Sequence, residues 1–407
     1  MTMTFSSPGV YVKEVPSGNA PIVGVGTSTA GFVGLVPDEL TMPDFNAAPK
    51  ADGEPADSTT KLTVPTPAGV VKLITNFTEF KDAFGDFSKD DSHRALAHAV
   101  LGFFTNGGTR CFVTRVKAVA DVSAALELLE PIDEIAIVAA PCVPPQATDH
   151  AIIYTALKDH CESGQNRFAV LDSMASYADA NGKLDVSKLA KDSDDLPENS
   201  TYTAFYFPWV EVFDPATRKR KLVPPSGHIA GIYARVDTER GVHKAPANEP
   251  IRGVLGLQYA ISRRQQDGLN PHGVNCLRTL NGNTRVWGAR TMGGDANGEF
   301  KYLSTRRLFI FLRESIDRGM QWAVFEPNNP DLWARLVRNV SAFLSGVWRA
   351  GALFGAKPED AFFVKCDAEN NPPVERELGK VVTDIGVAVT KPAEFVIFRI
   401  GQKALDS

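Results

Sequence analysis

Three histidines, His228, His243 and His272, fall in one loop-rich stretch with Ser226, Asp237 and Cys276. These residue types can build a nucleophile activated by a general base, the chemistry of acyl transfer. No G-x-S-x-G elbow and no papain-like cysteine context accompanies them, so ordinary loop histidines are the expectation. Near the start, Gly24 and Gly26 invite a phosphate-binding reading. A dinucleotide fingerprint needs a third glycine where Thr29 stands, and a P-loop needs Lys then Ser or Thr where Phe32 and Val33 follow Gly31. A tightly packed strand is expected there instead. The run K-D-S-D-D-L-P-E (191–198) matches a calcium loop in charge but lacks its order and its glycine, so it reads as solvated. Arg218 to Lys221 place four basic residues at a predicted hairpin tip. Arg306 and Arg307 could pair with carboxylates of a neighbour or face water, and the sequence does not choose. Nothing in this inventory assembles an active site.

The bulk of the chain agrees with that reading. At 407 residues it can hold two or three domains with real cores, and 43% hydrophobic with 22% charged residues is ordinary for a globular protein. A formal net charge of −5 argues against nucleic acid or an anionic membrane as the main partner. The five cysteines are scattered, without metal-type spacing, as in a reducing compartment. The N-terminus has neither a basic region nor an apolar core, and no apolar run reaches the ~18 residues of a membrane span. Synthesis and folding in the cytosol are therefore expected, without membrane insertion.

The predicted organisation centres on Tyr302 to Phe354. Leu308, Leu312, Ile316 and Met320 repeat every fourth residue, giving a helix that Ser304 or Thr305 could cap. Trp322 to Phe325 reads as a short strand. Asn329 can cap a second helix with Pro330 at its first position. Leu332, Leu336, Val340, Phe343 and Val347, flanked by Trp333, Val337, Leu344 and Trp348, make a stripe too wide for burial on one side. Upstream, strand and helix patterns alternate from Val70 to Asp172, the mark of a parallel α/β layer. Residues 37–68 and 173–200 read as loops, 201–213 and the return near Lys221 as β, and 224–300 as irregular with one helical piece near 255–266. Strands are expected at 361–366 and 394–400. The fold class is α/β, mixed with α+β features, in several domains.

Two short strand candidates sit beside the termini. V-Y-V-K-E-V (10–15) lies between breakers, and E-F-V-I-F-R-I (394–400) follows Pro392. A lone strand leaves backbone donors and acceptors unpaired, so it must join a sheet, in its own or another subunit.

Ten segments in order now carry a specific resemblance. S-P-G-V-Y-V-K-E-V, T-N-F-T-E-F-K-D-A-F-G, F-F-T-N-G-G-T-R-C-F-V-T-R-V, P-P-S-G-H-I-A-G-I-Y-A-R-V-D and G-V-H-K-A-P-A-N resemble successive signatures of the tail sheath proteins of contractile phage tails, R-type pyocins and extracellular contractile injection systems. L-N-P-H-G-V-N, V-W-G-A-R-T-M, R-R-L-F-I-F-L-R-E-S-I, F-E-P-N-N-P-D-L-W and K-P-A-E-F-V-I-F-R-I continue the series. The chain looks short beside the largest phage sheaths.

The resemblance implies a structural subunit, without catalytic residues, metal or cofactor. It would stack in hexameric rings around an inner tube and contract to drive that tube through an envelope. Implied partners are further copies of itself, the tube, baseplate and terminal cap proteins, and sister sheath proteins. The implied domains are an N-terminal arm at 1–22, an outer α/β part at 23–270, an inner tube-facing core at 271–390 and a C-terminal arm at 391–407. Val10, Tyr11, Val12, Phe395, Val396, Ile397 and Phe398 would carry inter-subunit strand pairing. Pro16, Gly18, Pro21 and Pro392 would let the arms pivot, and Arg335 and Arg338 would face the tube. Two other readings stay open: an α/β hydrolytic enzyme using the loop histidines, or another structural component of the same particle.

Overall fold

The computed structural model describes residues 21–44, 58–144, 146, 148–189 and 195–397. The first strand is β1 (Thr29–Leu35), followed by a hairpin of β2 (Glu39–Pro43) and β3 (Thr59–Thr63) where a loop was expected. β4 (Lys72–Ile74) leads into α1 (Phe77–Phe84), whose first turn is closed by the Asn76 side chain accepting from the Glu79 amide. Next come α2 (Asp91–Thr105), β5 (Cys111–Val116), α3 (Val122–Leu129), β6 (Ile135–Ala139), α4 (Asp149–Gly164) and β7 (Phe168–Asp172). β8 (Thr203–Phe207), β9 (Val210–Asp214) and β10 (Lys219–Val223) precede α5 (Ser226–Arg240). β11 (Gly256–Leu257), α6 (Arg263–Leu269), β12 (Val274–Leu280) and β13 (Asn283–Val286) complete the first body.

One eight-stranded sheet runs β13-β12-β8-β7-β6-β1-β5-β4. Its interior pairs are parallel, and only the two outer strands pair antiparallel. Both faces are covered, as a parallel sheet with helical crossovers requires. Ala30, Phe32, Val113, Phe168 and Val170 point to the side of α2 and α5, where Leu96, Val100, Phe103, Ile229 and Tyr233 meet them. Val33, Ala169 and Leu171 point the other way, to Leu126, Leu129, Ile153 and Leu157 of α3 and α4. The period-two alternation of each strand thus feeds two separate cores.

The second body holds α7 (Leu303–Met320), α8 (Pro330–Arg349), α9 (Pro358–Ala361), β14 (Phe362–Lys365), α10 (Pro373–Glu377) and β15 (Asp384–Val387). The Asn329 carboxamide oxygen accepts from the Leu332 amide at 3.0 Å, the expected cap. The wide stripe of α8 is split between two cores. Val340, Leu344 and Val347 join Leu308 and Leu312, while Leu332, Trp333 and Leu336 pack with Cys366.

Several expectations are corrected. Ser304 and Thr305 are buried inside α7, and Tyr302 occupies its cap position. Trp322 to Phe325 is a 3-10 turn rather than a strand, with Phe325 at φ 67. The strand expected after the Gly24-Val25-Gly26 turn is β1, and the two glycines themselves lie in the segment crossing α7, where the Val25 amide donates to Ser315 Oγ at 3.1 Å. The irregular stretch 224–300 contains α5, buried from Ser226 to Val236, and the strands β12 and β13. A division at 270/271 would cut through the sheet, because β12 pairs with β8. The sheet topology places the change of body just before α7.

Candidate functional site

The residues that could have built a triad are dispersed into structural tasks. Ser226 Oγ and N–H both donate to the Asp172 carboxylate, at 2.5 and 2.7 Å, so Asp172 closes the amino end of α5. Burial pushes the Asp172 carboxyl up to about 7. His228 is 3% exposed and burial depresses it to about 3, so it stays neutral. Cys276 is buried in β12, and desolvation raises its thiol to about 12, away from nucleophilic thiolate. His243 is half-buried in a turn, and His272 is half-buried at the end of the 3-10 helix Asn270–His272. Among the described residues, no hydrogen bond joins these histidines to Ser226, Asp237 or Cys276, and no group of His, Cys, Asp and Glu could hold a metal ion.

A groove of about 400 Å³ opens past the carboxyl ends of β6, β7 and β8, lined by Val143, Ala175 and Trp209. Ligands of open α/β sheets bind in that position. Here its charges serve the fold. Arg94 pairs with Asp214 at 3.2 Å and with Asp91, and Lys221 pairs with Asp91 at 2.9 Å. The basic run sits on the β9–β10 hairpin as expected, with Arg218 at φ 53 in the turn and Arg220 bound to Glu211. In the acidic run, Glu198 pairs with Lys158, and Lys191 to Asp194 lie outside the described residues.

Arg306 and Arg307 neither face water nor await a neighbour. Arg307, 3% exposed, grips both oxygens of Asp237 at 2.9 and 2.6 Å and donates to the Thr27 carbonyl at 3.1 Å. Burial opposes its charge, but the Asp237 carboxylate more than compensates and holds its pKa above the usual value. The Arg306 guanidinium lies 3.5 Å from the Phe300 ring centre and 4.3 Å from that of Tyr202. These two side chains fasten α7 to the sheet body. A sequence cannot show this, since Asp237 and Arg307 are 70 positions apart.

The second body holds a two-stranded sheet with open backbone edges. β14 and β15 form a sheet of two strands, with Phe363, Ile385 and the nearby Phe354 exposed. Two strands alone are marginal in water and offer unpaired edges. Phe395, Val396 and Ile397 leave the body 69%, 69% and 81% exposed and belong to no sheet among the described residues. Val10, Tyr11, Val12 and Phe398 lie outside the described residues. Arg335 is held by Glu326 at 3.0 Å and stacks on Trp322, whereas Arg338 is exposed on α8.

Comparison with known proteins gives these features a family. The model of the phage tail sheath protein central domain matches residues 116–292, and that of the phage tail sheath C-terminal domain matches 295–403. The tail sheath protein of Burkholderia phage BcepMu is 30% identical over 46% of this chain and 40% of its own length. That of Enterobacteria phage T4 is 24% identical over 57% of this chain and 32% of its own. The chain thus spans less than half the length of these relatives. Two solved structures match it nearly end to end. The PVC sheath complex of an extracellular contractile injection system, in the contracted state, is 26% identical with TM-score 0.75 over 99% of both chains. The helical sheath of the anti-feeding prophage, also contracted, is 28% identical with TM-score 0.74 over 98% of this chain and 100% of that one. With successive domain models and full-length sheath structures agreeing on one order of elements, the chain belongs to the phage tail sheath protein family.

Proposed function

We propose that the chain is a structural subunit of a contractile tail sheath, stacking in hexameric rings around an inner tube and shortening to drive that tube through an envelope. The observation that carries this reading is the end-to-end likeness to two sheath subunits captured contracted. The open β14–β15 pair supports it further, since its edges suit strands arriving from neighbouring copies. In this reading the terminal arms, with Val10, Tyr11, Val12, Phe395, Val396, Ile397 and Phe398, supply those strands. The sheet body forms the outer part and the α7–α8 body the inner, tube-facing part. Arg338, rather than the internally paired Arg335, is the better candidate for touching the tube. Tube, baseplate, cap and sister sheath proteins are the proposed partners, assembly takes place in the bacterial cytoplasm, and no catalysis is proposed.

Negative-stain microscopy of the purified chain, alone and co-expressed with its genomic neighbours, tests this. Hollow cylinders that become shorter and wider on triggering are expected. Deletion of residues 1–20 should leave a folded monomer that forms none. Uniform monomers from the intact chain under both conditions would refute the reading.

A further inference from the structure

Two of the passages between the bodies, the one before α7 and the one after β15, meet at one carboxylate. Tyr302, the last residue before α7, donates its hydroxyl to Glu394 Oε2 at 2.9 Å. Arg290 grips the same carboxylate with two donors at 2.9 Å each, and the Asn270 side-chain amide adds a fourth hydrogen bond at 2.7 Å. Lys301 stands 4.0 Å away.

The socket is built before Glu394 reaches it. The Arg290 side chain is 3% exposed, donates to the Asn270 carbonyl at 2.9 Å and pairs with Asp295 at 3.2 Å. Its backbone is fixed from both sides by Asn275 of β12, which accepts from the Arg290 amide and donates to its carbonyl, each at 2.8 Å. Asn275 is fully buried, so the chain of support runs directly into the central sheet. A side chain offering both oxygens to a bidentate guanidinium is held in position and in angle. One residue later the chain is free of such contacts: Phe395, Val396 and Ile397 are mostly exposed.

We propose that Glu394 is a positioning residue. Its clasp with Arg290, Asn270 and Tyr302 fixes the take-off point of the C-terminal arm on the sheet body, so the arm pivots at 394/395 and not at Pro392. The clasp is a property of one subunit. Only the arm's destination rests on the sheath reading.

Double electron–electron resonance on the full chain tests it. The five native thiols are buried, so spin labels report introduced cysteines alone. V396C/D267C measures the arm root against α6, and D331C/D267C measures α8 against α6. In wild type both distance distributions should be narrow. E394A should abolish the single narrow peak of the first pair and leave the second unchanged. E394Q keeps the side-chain volume should E394A fail to fold, and must loosen the first pair alone as well. A first pair that stays narrow in the folded variant overturns the proposal. Broadening of both pairs also overturns it, since Glu394 would then hold the whole second body. In microscopy, long regular cylinders from E394A, equal to wild type, would likewise remove the positioning role. Wild type forming no cylinders would refute the sheath reading and leave the resonance test standing.

Discussion

Replacing Arg307 by methionine should be the most damaging single charge removal at the junction between the two bodies. The side chains of Arg307 and Asp237 are 3% and 2% exposed, so solvent cannot take over the role of a missing partner. Methionine roughly fills the aliphatic space but leaves the Asp237 carboxylate with only the Thr27 hydroxyl at 2.6 Å and strips the Thr27 carbonyl of a donor. Breaking a buried pair from one side costs about 3–5 kcal/mol, because an uncompensated charge remains. Replacing both partners by apolar residues removes that charge, and R307M/D237L should lie much closer to wild type. Urea unfolding read by tryptophan emission is the assay, since Trp322, Trp333 and Trp348 lie in the second body and Trp209 and Trp287 in the first, so both bodies report. The reasoning fails if R307M costs less than about 1 kcal/mol with an unchanged denaturant slope, or if the double variant is as unstable as the sum of the singles.

Three further outcomes follow from the same structure. A methyl group at Gly227 would sit 2.2 Å from the Ala99 carbonyl oxygen, and one at Gly231 2.4 Å from that of Phe103. Gly227→Ala and Gly231→Ala should each lower stability by about 1–3 kcal/mol in urea titration, although alanine favours helices. Burial depresses His93 to about 4 and His228 to about 3, below the ordinary 6.5. At these two sites the unfolded chain binds more protons than the folded one below about pH 6.5, so their contribution to stability should fall from there toward pH 3–4, with H93Q flattening that slope. Phe395→Asp with Ile397→Asp alters side chains 69% and 81% exposed, so the urea midpoint of the monomer should stay within about 0.5 kcal/mol while cylinders disappear from micrographs.

Elements with a clean period were legible in the sequence. The α7–α8 pair, the Asn329 cap and the alternation from β4 to β7 all follow from apolar spacing and local capping chemistry. α5 was not, and the reason is physical. S-G-H-I-A-G-I-Y-A-R-V is buried all round, so it has no polar face to set a period, and its glycines suggest a loop until α2 is seen pressed against them. Short β2 and β3 were hidden for a different reason, since the long Pro-, Ala- and Asp-rich stretch 44–58 lies between them in sequence and reads as loop. The family could be read from ordered motifs, but the contacts joining the bodies could not. Arg307 meets Asp237 across 70 positions and Glu394 meets Arg290 across 104, and neither spacing leaves a local mark.

Those long-range contacts bear on how such a subunit could do work without a nucleotide. Flexing the two bodies against each other would break the Arg307–Asp237 pair, at about 3–5 kcal/mol if one charge stays buried. Swinging an arm from residue 395 breaks no sheet hydrogen bond within the chain among the described residues. The less costly motion is therefore at the arm roots. In the proposed polymer each subunit would then turn as a rigid body while its strands stay paired in neighbouring sheets. The free energy of contraction would lie in the contacts between subunits, set when the polymer assembles. A difference of even RT, about 0.6 kcal/mol per subunit, accumulates with every ring, so a long cylinder needs no strained fold and no catalytic site in any one chain.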